Sequence, residues 1–182
     1  MKLIITGREH VDVARPSIYV SNHESQMDIP ALFYALWIPS FFIAKKEIRR
    51  IPFMGWYMIL AGMIFVDRKN SESARQSMKA AAKKIQNGKS VISFPEGTRN
   101  RDGKMLLFKR GTFVIAKEGN IPIVPISIKG AREVVAPGEF RIKPGTVFLN
   151  IGKPIYPGDH PELKEDQLAN FVREEVIRLR AT

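Results

Sequence analysis

The feature that most constrains the fold of this chain is a regular alternation of short β-prone runs with segments of helical periodicity. Six runs rich in apolar and β-branched residues are predicted as strands, at residues 18–20, 41–44, 63–66, 90–94, 121–128 and 147–151. Helices are predicted at residues 28–36, 45–51, 54–61, about 71–87, 111–118 and about 161–180. This alternation predicts an α/β fold, a single layered domain with a mainly parallel sheet flanked by helices.

The length and composition agree with one globular unit. A chain of 182 residues fits one domain, and no repeat, linker or low-complexity segment divides it, so a single domain over residues 1–182 is predicted. Cysteine does not occur, which excludes a disulfide framework, a thiolate zinc site and a cysteine nucleophile. Three histidines without an H-E-x-x-H pattern also argue against a zinc site, so no metal is predicted.

The positive charge is concentrated in the middle of the chain. There are 29 Lys and Arg residues against 18 Asp and Glu residues, a net charge of +11. Residues 45–117 hold 17 of the basic and 5 of the acidic side chains, whereas the remainder holds 12 and 13. A local basic field attracts nucleic acid, anionic lipid headgroups, phosphorylated small molecules or an acidic carrier protein. Charge alone leaves open the plainer alternative of a well-solvated basic surface.

Two uncharged, aromatic-rich stretches, residues 29–44 and 51–66, have to be judged as membrane spans. Each has 16 residues, fewer than the ~20 that cross a bilayer core, and each contains proline, so neither is predicted to span. Their aromatic side chains belong either to an ordinary core or to an interfacial, lipid-facing surface. The N-terminus turns polar after five residues, so no signal peptide is predicted.

His23 differs from the other two histidines because it follows a predicted strand end and precedes Asp28 by five residues. His10 and His160 lie in stretches typical of surface residues. Across the intervening turn, the Asp28 carboxylate can fix the imidazole tautomer and stabilise the imidazolium that forms when a general base takes a proton. The spacing also allows the alternative that Asp28 only caps its helix and His23 bonds the backbone.

No protein nucleophile accompanies His23. The chain has no Gly-x-Ser-x-Gly segment and no cysteine, so a covalent enzyme intermediate is poorly supported. A histidine base that acts directly on a bound substrate hydroxyl is the simpler chemistry.

A second polar cluster, Phe94-Pro95-Glu96-Gly97-Thr98-Arg99, follows another predicted strand. Gly97 permits an unusual backbone angle and the close approach of a ligand. The Arg99 guanidinium has the planar fork that suits a phosphate. Glu96 can hold either that arginine or the loop itself.

Two further cations follow strands: Lys45 after one and Arg68 after another. In a mainly parallel sheet these strand ends lie on one side, where open α/β sheets bind ligands. A base, an orienting carboxylate and three cations that converge there predict the transfer of an acyl group to an alcohol that carries a phosphate.

The segment Asn22-His23-Glu24-Ser25-Gln26-Met27-Asp28 resembles the N-H-x4-D motif of the glycerolipid acyltransferases, above all of the 1-acylglycerol-3-phosphate acyltransferases. Three more blocks follow in that family's order. Residues 45–68 resemble its second motif region, residues 94–99 its F-P-E-G-T-R block, and Val124-Pro125-Ile126 its fourth block. Because four blocks occur in order over roughly residues 20–128, the chain is identified as a member of this family.

The resemblance implies that His23 deprotonates the free hydroxyl of lysophosphatidic acid, which then attacks the thioester of acyl-CoA or acyl-carrier protein. Asp28 would orient His23, and the acyl chain of the donor would lie along residues 51–66. The residues implied to bind the phosphate or to shape its pocket and an oxyanion site are Lys45, Arg68, Glu96, Gly97 and Arg99. The thioester is a co-substrate, and no cofactor is implied.

Relatives of this kind usually carry an apolar N-terminal segment for membrane attachment, whereas only 21 residues precede Asn22 here. We expect either a compact or truncated form, or attachment through the basic and aromatic middle. The protein would then be peripheral, on the cytoplasmic side of an anionic membrane surface, with no nucleic-acid partner. Two alternatives remain: the same chemistry on glycerol-3-phosphate or a lysophospholipid, and a non-catalytic basic module that binds lipid or nucleic acid.

Overall fold

The computed structural model describes residues 1–66, 71–100, 103–139 and 141–181. Over these residues it has seven strands: β1 Lys2–Thr6, β2 Ile18–Ser21, β3 Ser40–Lys45, β4 Ile64–Val66, β5 Ser90–Ser93, β6 Ile123–Lys129 and β7 Thr146–Ile151. The α-helices are α1 Asp28–Leu36, α2 Met54–Leu60, α3 Ser71–Gln86, α4 Gly111–Glu118, α5 Ala131–Val134 and α6 Glu165–Ala181. Short 3-10 turns lie at Arg8–His10, Lys46–Arg50 and Pro157–Asp159.

The strands form one sheet in the order β1-β7-β6-β2-β5-β3-β4. From β6 to β4 all neighbours are parallel, whereas β7 is antiparallel to β6 and pairs in parallel with β1. The predicted α/β fold with a mainly parallel sheet flanked by helices is therefore confirmed. The strand Lys2–Thr6 is absent from the sequence prediction because it is a short, half-buried edge strand whose one partner among the described strands is β7.

The core has two layers because successive side chains of a strand point to opposite faces of the sheet. In β2, Ile18 and Val20 pack on one face and Tyr19 on the other, and all three are fully buried. The first face is covered by α3, α4 and α6, and the second by α1 and α5. The α6 side chains Leu168 and Val172, one helical turn apart, are buried in the first layer.

The parallel strands bring their carboxyl ends to one edge of the sheet. β2 lies between β6 and β5, so the loops that follow these three strands are neighbours at that edge. An open α/β sheet binds ligands at this edge, and His23 follows β2 by two residues.

Local hydrogen bonds explain where the predicted bounds agree and differ. Both α1 and α4 begin and end where the sequence predicts. Residues 45–51, predicted as a helix, form only the 3-10 turn Lys46–Arg50. The strand predicted from residue 121 begins at Ile123, because the Ile121 amide donates to the Ala116 carbonyl and completes the turn after α4.

Neither aromatic-rich stretch forms a membrane span. Residues 29–44 divide between α1 and β3, and residues 51–66 between α2 and β4. Within the residues described, no helix combines the length and the apolar character needed to cross a bilayer.

Candidate active site

His23 and Asp28 meet across the turn between β2 and α1. Nδ1 of His23 lies 2.7 Å from Oδ2 of Asp28. Because a carboxylate oxygen accepts, Nδ1 donates to Asp28, and in the neutral imidazole Nε2 then carries the lone pair. The His23 side chain is 17% exposed and that of Asp28 is fully buried. A proton taken up at Nε2 would therefore place an imidazolium against a buried carboxylate, which is the geometry of a base and its orienting group.

Asp28 also organises the loop that carries His23. Its Oδ2 atom accepts hydrogen bonds from the amides of Glu24 at 2.7 Å and Ser25 at 2.9 Å. Asp28 is the first residue of α1, so its carboxylate lies at the positive end of the helix dipole. The alternative in which Asp28 only caps its helix and His23 bonds the backbone does not fit, because one oxygen holds both the imidazole and two loop amides.

The imidazole of His23 stacks on the ring of Phe94, just beyond β5. The ring centroids are 4.1 Å apart and the planes differ by 18°. Phe94 in turn stacks on Phe42 of β3 at 5.8 Å. A hydrogen bond at Nδ1 and a stack on one face together fix the direction of Nε2. This contact is not apparent from the sequence, where Phe94 is only the first member of its cluster.

Glu96 joins the loop after β2 to the loop after β5. Oε1 accepts the amide of His23 at 2.7 Å, and Oε2 accepts the amide of Leu106 at 2.8 Å. The side chain is 2% exposed, and burial raises the pKa of this carboxyl while the two hydrogen bonds oppose the rise. Of the two roles open from the sequence, these contacts match holding the loop, with both carboxylate oxygens engaged by backbone amides.

Gly97 occupies the tight turn after Glu96. Its φ is +75°, a left-handed conformation that favours glycine. Its amide donates to the carbonyl of Phe94 at 3.0 Å. That N–H therefore closes the turn, and Gly97 shapes the loop that carries Arg99.

The three predicted cations have different surroundings. Nη1 of Arg99 is buried and has no hydrogen-bond partner among the described residues. Lys45, at the end of β3, lies at the same sheet edge as His23 but two strands away, and its ammonium forms an exposed ion pair with Glu47 at 3.2 Å. Arg68 lies outside the residues that the structure describes, so its predicted role stays a prediction.

A model of the acyltransferase family matches residues 2–129, well over half of the sequence. This chain belongs to the acyltransferase family. The membership inferred from the four sequence blocks is thereby confirmed.

Named relatives of this acyltransferase-family chain agree with the match. The 1-acyl-sn-glycerol-3-phosphate acyltransferase of Limnanthes douglasii is 36% identical over 178 residues, which cover 96% of this chain and 62% of the relative. The protein of the same name from Borreliella burgdorferi is 30% identical over 186 residues, covering 98% and 71%. The chain spans about half to two thirds of the length of these relatives, from 48% of an Arabidopsis thaliana relative to 71% of the Borreliella one.

A solved structure shares the fold. The crystal structure of the 1-acyl-sn-glycerophosphate acyltransferase PlsC from Thermotoga maritima superimposes with a TM-score of 0.82 at 36% sequence identity. The match covers 97% of this chain and 70% of that one. The mainly parallel sheet described above is thus the sheet of a known acyltransferase.

Several side chains that hold the site of this acyltransferase-family chain were not predicted. Asn22 forms a pair of hydrogen bonds with the backbone of Ile128 in β6, at 2.9 and 2.8 Å. Glu24 is buried, accepts the Ala131 amide at 3.1 Å and pairs with Arg180 of α6 at 2.9 Å. The adjacency of Asn22 to His23 is a sequence signal for the first contact. Nothing in the sequence signals the second, because Glu24 and Arg180 come from opposite ends of the chain.

A largely apolar cavity of about 690 Å³ opens beside Phe94. It lies between β3, β4, α3 and α4, and residues that line it include Ile43, Val66, Met78, Phe94, Gly97 and Val114. Of residues 51–66, along which a donor acyl chain was predicted to lie, most of the residues 51–60 are exposed, whereas Val66 lines this cavity. The cavity is the feature at this edge with the size and lining for an acyl chain.

Proposed function

We propose that this chain transfers a fatty acyl group from acyl-CoA or acyl-carrier protein to the free hydroxyl of 1-acyl-sn-glycerol-3-phosphate, giving phosphatidic acid. The observation that carries this proposal is the buried Asp28 carboxylate on Nδ1 of His23, with Nε2 directed by the stack on Phe94. The names of the relatives in plants and bacteria support the acceptor.

The chemistry needs one base and no protein nucleophile. Nε2 of His23 takes the proton of the acceptor hydroxyl as that oxygen attacks the thioester carbonyl. Asp28 stabilises the imidazolium through Nδ1. The new C–O bond forms, the C–S bond breaks, and the proton passes from His23 to the leaving sulfur. Each atom and charge is accounted for without a metal or a cofactor in the scheme.

The acceptor phosphate and the acyl chain are assigned to different parts of the site. Arg99 binds the phosphate of the acceptor, because its Nη1 is buried and has no hydrogen-bond partner among the described residues. The apolar cavity beside Phe94 receives the acyl chain. Glu96 and Gly97 shape the loop after β5, which separates the phosphate site from this cavity. The cations of Lys45 and Arg68 add to the positive field at the sheet edge.

An acceptor panel with one labelled acyl donor tests the proposal. We expect the fastest turnover with lysophosphatidic acid, slower turnover with lysophospholipids whose phosphate is a diester, and slower turnover with glycerol-3-phosphate, which has no acyl chain. No turnover with lysophosphatidic acid would exclude the proposed function. Turnover of glycerol-3-phosphate or a lysophospholipid alone would establish the alternative acceptor, and any turnover would exclude a merely binding module.

The α2 face is proposed to rest on an anionic membrane surface, with the protein peripheral on its cytoplasmic side. Four apolar or aromatic side chains in and beside α2 are between 59 and 87% exposed: Phe53, Trp56, Tyr57 and Leu60. The basic turn Lys46–Arg50 immediately precedes them. Exposed aromatic and aliphatic groups beside a basic segment suit the interface of an anionic bilayer.

Vesicle binding tests this surface. Replacing Trp56 and Leu60 together by serine should weaken binding to vesicles that contain anionic lipid by about ten-fold or more, because two apolar groups that would enter the bilayer interface are lost. Ile142→Ser is the matched control, since Ile142 is 64% exposed but lies in the segment before β7. Equal binding by the double variant and the control, measured by co-sedimentation, would show that α2 is not the contact.

A further inference from the structure

We infer that Arg132 is a second ligand of the acceptor phosphate, and that Arg99 and Arg132 together select a phosphate monoester over a phosphate diester. The inference rests on the proposed function and deepens it. It concerns a side chain that lies outside all four sequence blocks and that the charge pattern of the chain does not single out.

The topology places the two arginines on either side of the strand that carries His23. Arg99 follows β5, and Arg132 lies in α5, which begins two residues after β6. In the sheet, β5 and β6 are the two neighbours of β2. Both loops therefore flank His23, one from each side.

The two side chains line one cavity of about 480 Å³. Its other walls come from the same two loops, with Thr98 beside Arg99 and residues 136–138 after α5. The loop after β2 is bonded to both of these loops, because the Asn100 amide donates to the carbonyl of His23 at 2.9 Å and the Ser25 hydroxyl donates to the carbonyl of Val135 at 2.7 Å.

The two arginines of this cavity lack a direct carboxylate partner in the described part of the chain. Neither guanidinium forms an ion pair with a carboxylate among the described residues, and Nη1 of Arg99 is buried without a partner there. The nearest acidic side chain of the following loop, Glu139, pairs with Lys143 at 3.6 Å. Two like charges that share a cavity repel each other, and an anion between them relieves the repulsion and supplies the missing acceptors.

The number of guanidinium groups points to a monoester. A phosphate monoester carries about −1.5 to −2 charges at neutral pH and three terminal oxygens. Two planar forks match that charge and can each bond a pair of those oxygens. A diester carries one charge and two terminal oxygens, so it offers the two guanidinium groups less charge and fewer acceptors. The pair therefore discriminates lysophosphatidic acid from lysophospholipids with a larger headgroup.

Steady-state kinetics of Arg132→Ala test the assignment. We expect the KM for lysophosphatidic acid to rise about ten- to a hundred-fold, as for loss of a charge-assisted hydrogen bond, with kcat changed only a few-fold. The KM for the acyl donor should stay constant, and the preference over a diester lysophospholipid should fall by the same factor. Arg132→Lys should restore part of the affinity, because the charge remains and the fork is lost. Arg99→Ala should behave like Arg132→Ala.

Arg141→Ala is the matched control, because Arg141 is exposed in the same connection between α5 and β7. It should leave both KM values unchanged. Thermal unfolding of each variant establishes that the fold is retained. An unchanged KM for lysophosphatidic acid in Arg132→Ala would overturn the inference.

Binding of sn-glycerol 3-phosphate, measured by calorimetry without an acyl donor, separates this inference from the proposed function. Wild-type protein should bind this monoester, and both single variants should bind it at least about ten-fold more weakly. If the monoester binds in this way and no acyl transfer occurs, the phosphate site of Arg99 and Arg132 is supported and the proposed function is excluded. If lysophosphatidic acid is acylated and Arg132→Ala binds the monoester normally, the role of Arg132 is excluded and the proposed function is supported.

Discussion

Replacing His23 by alanine is expected to lower the rate of acyl transfer at least about 100-fold, the usual contribution of a general base. The imidazole is the group at this edge whose free nitrogen is directed by both a buried carboxylate and a ring stack. Without it, the acceptor hydroxyl must lose its proton to water. The measurement is the initial rate with lysophosphatidic acid and a labelled thioester, at saturating concentrations of both.

His160→Ala is the control for this variant. His160 lies in the loop before α6, and its Nδ1 is 3.8 Å from Glu162, so its removal should leave the rate unchanged. Both variants should keep the circular dichroism of the folded parent, although His23→Ala should lower the unfolding temperature by a few degrees, because it removes one hydrogen bond and a stack. Full activity of His23→Ala with the fold intact would refute the proposed mechanism.

Replacing Asp28 by asparagine is expected to lower kcat about 100-fold or more. Oδ2 of Asp28 accepts from Nδ1 of His23 and from the amides of Glu24 and Ser25. A neutral amide can still accept from part of this set, but it removes the negative charge that stabilises the imidazolium. The change should appear in kcat, with little change in the KM for the acceptor, because Asp28 is fully buried and bonds His23 and two loop amides rather than the acceptor.

Asp28→Asn should also destabilise the fold. Oδ1 is buried without a hydrogen-bond partner in the described part of the chain, so an amide nitrogen in that position would be buried and unpaired, at about 1–3 kcal/mol. Chemical denaturation measures this loss. Asp159→Asn, in the 3-10 turn before α6, is the surface control and should change neither kcat nor stability. Near-normal kcat in Asp28→Asn would show that the negative charge of Asp28 is not needed to stabilise the imidazolium.

Local sequence signals located the elements and the ends of the strands. The bounds of α1 and α4 agree with the prediction because apolar periodicity, Pro39 after α1 and Gly119 after α4 act within a few residues. The strand Lys2–Thr6 escaped prediction because its stability comes from pairing with β7, which is more than 140 positions away along the chain. A contact of that kind leaves no local periodicity.

The candidate site divides in the same way. The spacing of His23 and Asp28 makes their contact possible, since they lie at opposite ends of one short turn. From the sequence, Glu96 could hold either an arginine or the loop. The two hydrogen bonds that it accepts from backbone amides depend on how the loops after β2 and β5 meet. Lys45 follows a strand as predicted, but its ion pair with Glu47 is a feature of the folded surface.

The sequence by itself determined the α/β class and the family, and it made the pairing of His23 with Asp28 at a strand end possible, because these depend on spacing and on motifs within short segments. The tertiary structure alone decided the order of the strands, the stack of His23 on Phe94, the ion pair of Glu24 with Arg180, and the cavity that Arg99 shares with Arg132. Each of these joins residues far apart in the chain. Such contacts are set by the packing of the two core layers against the sheet, and no local pattern of residues encodes them.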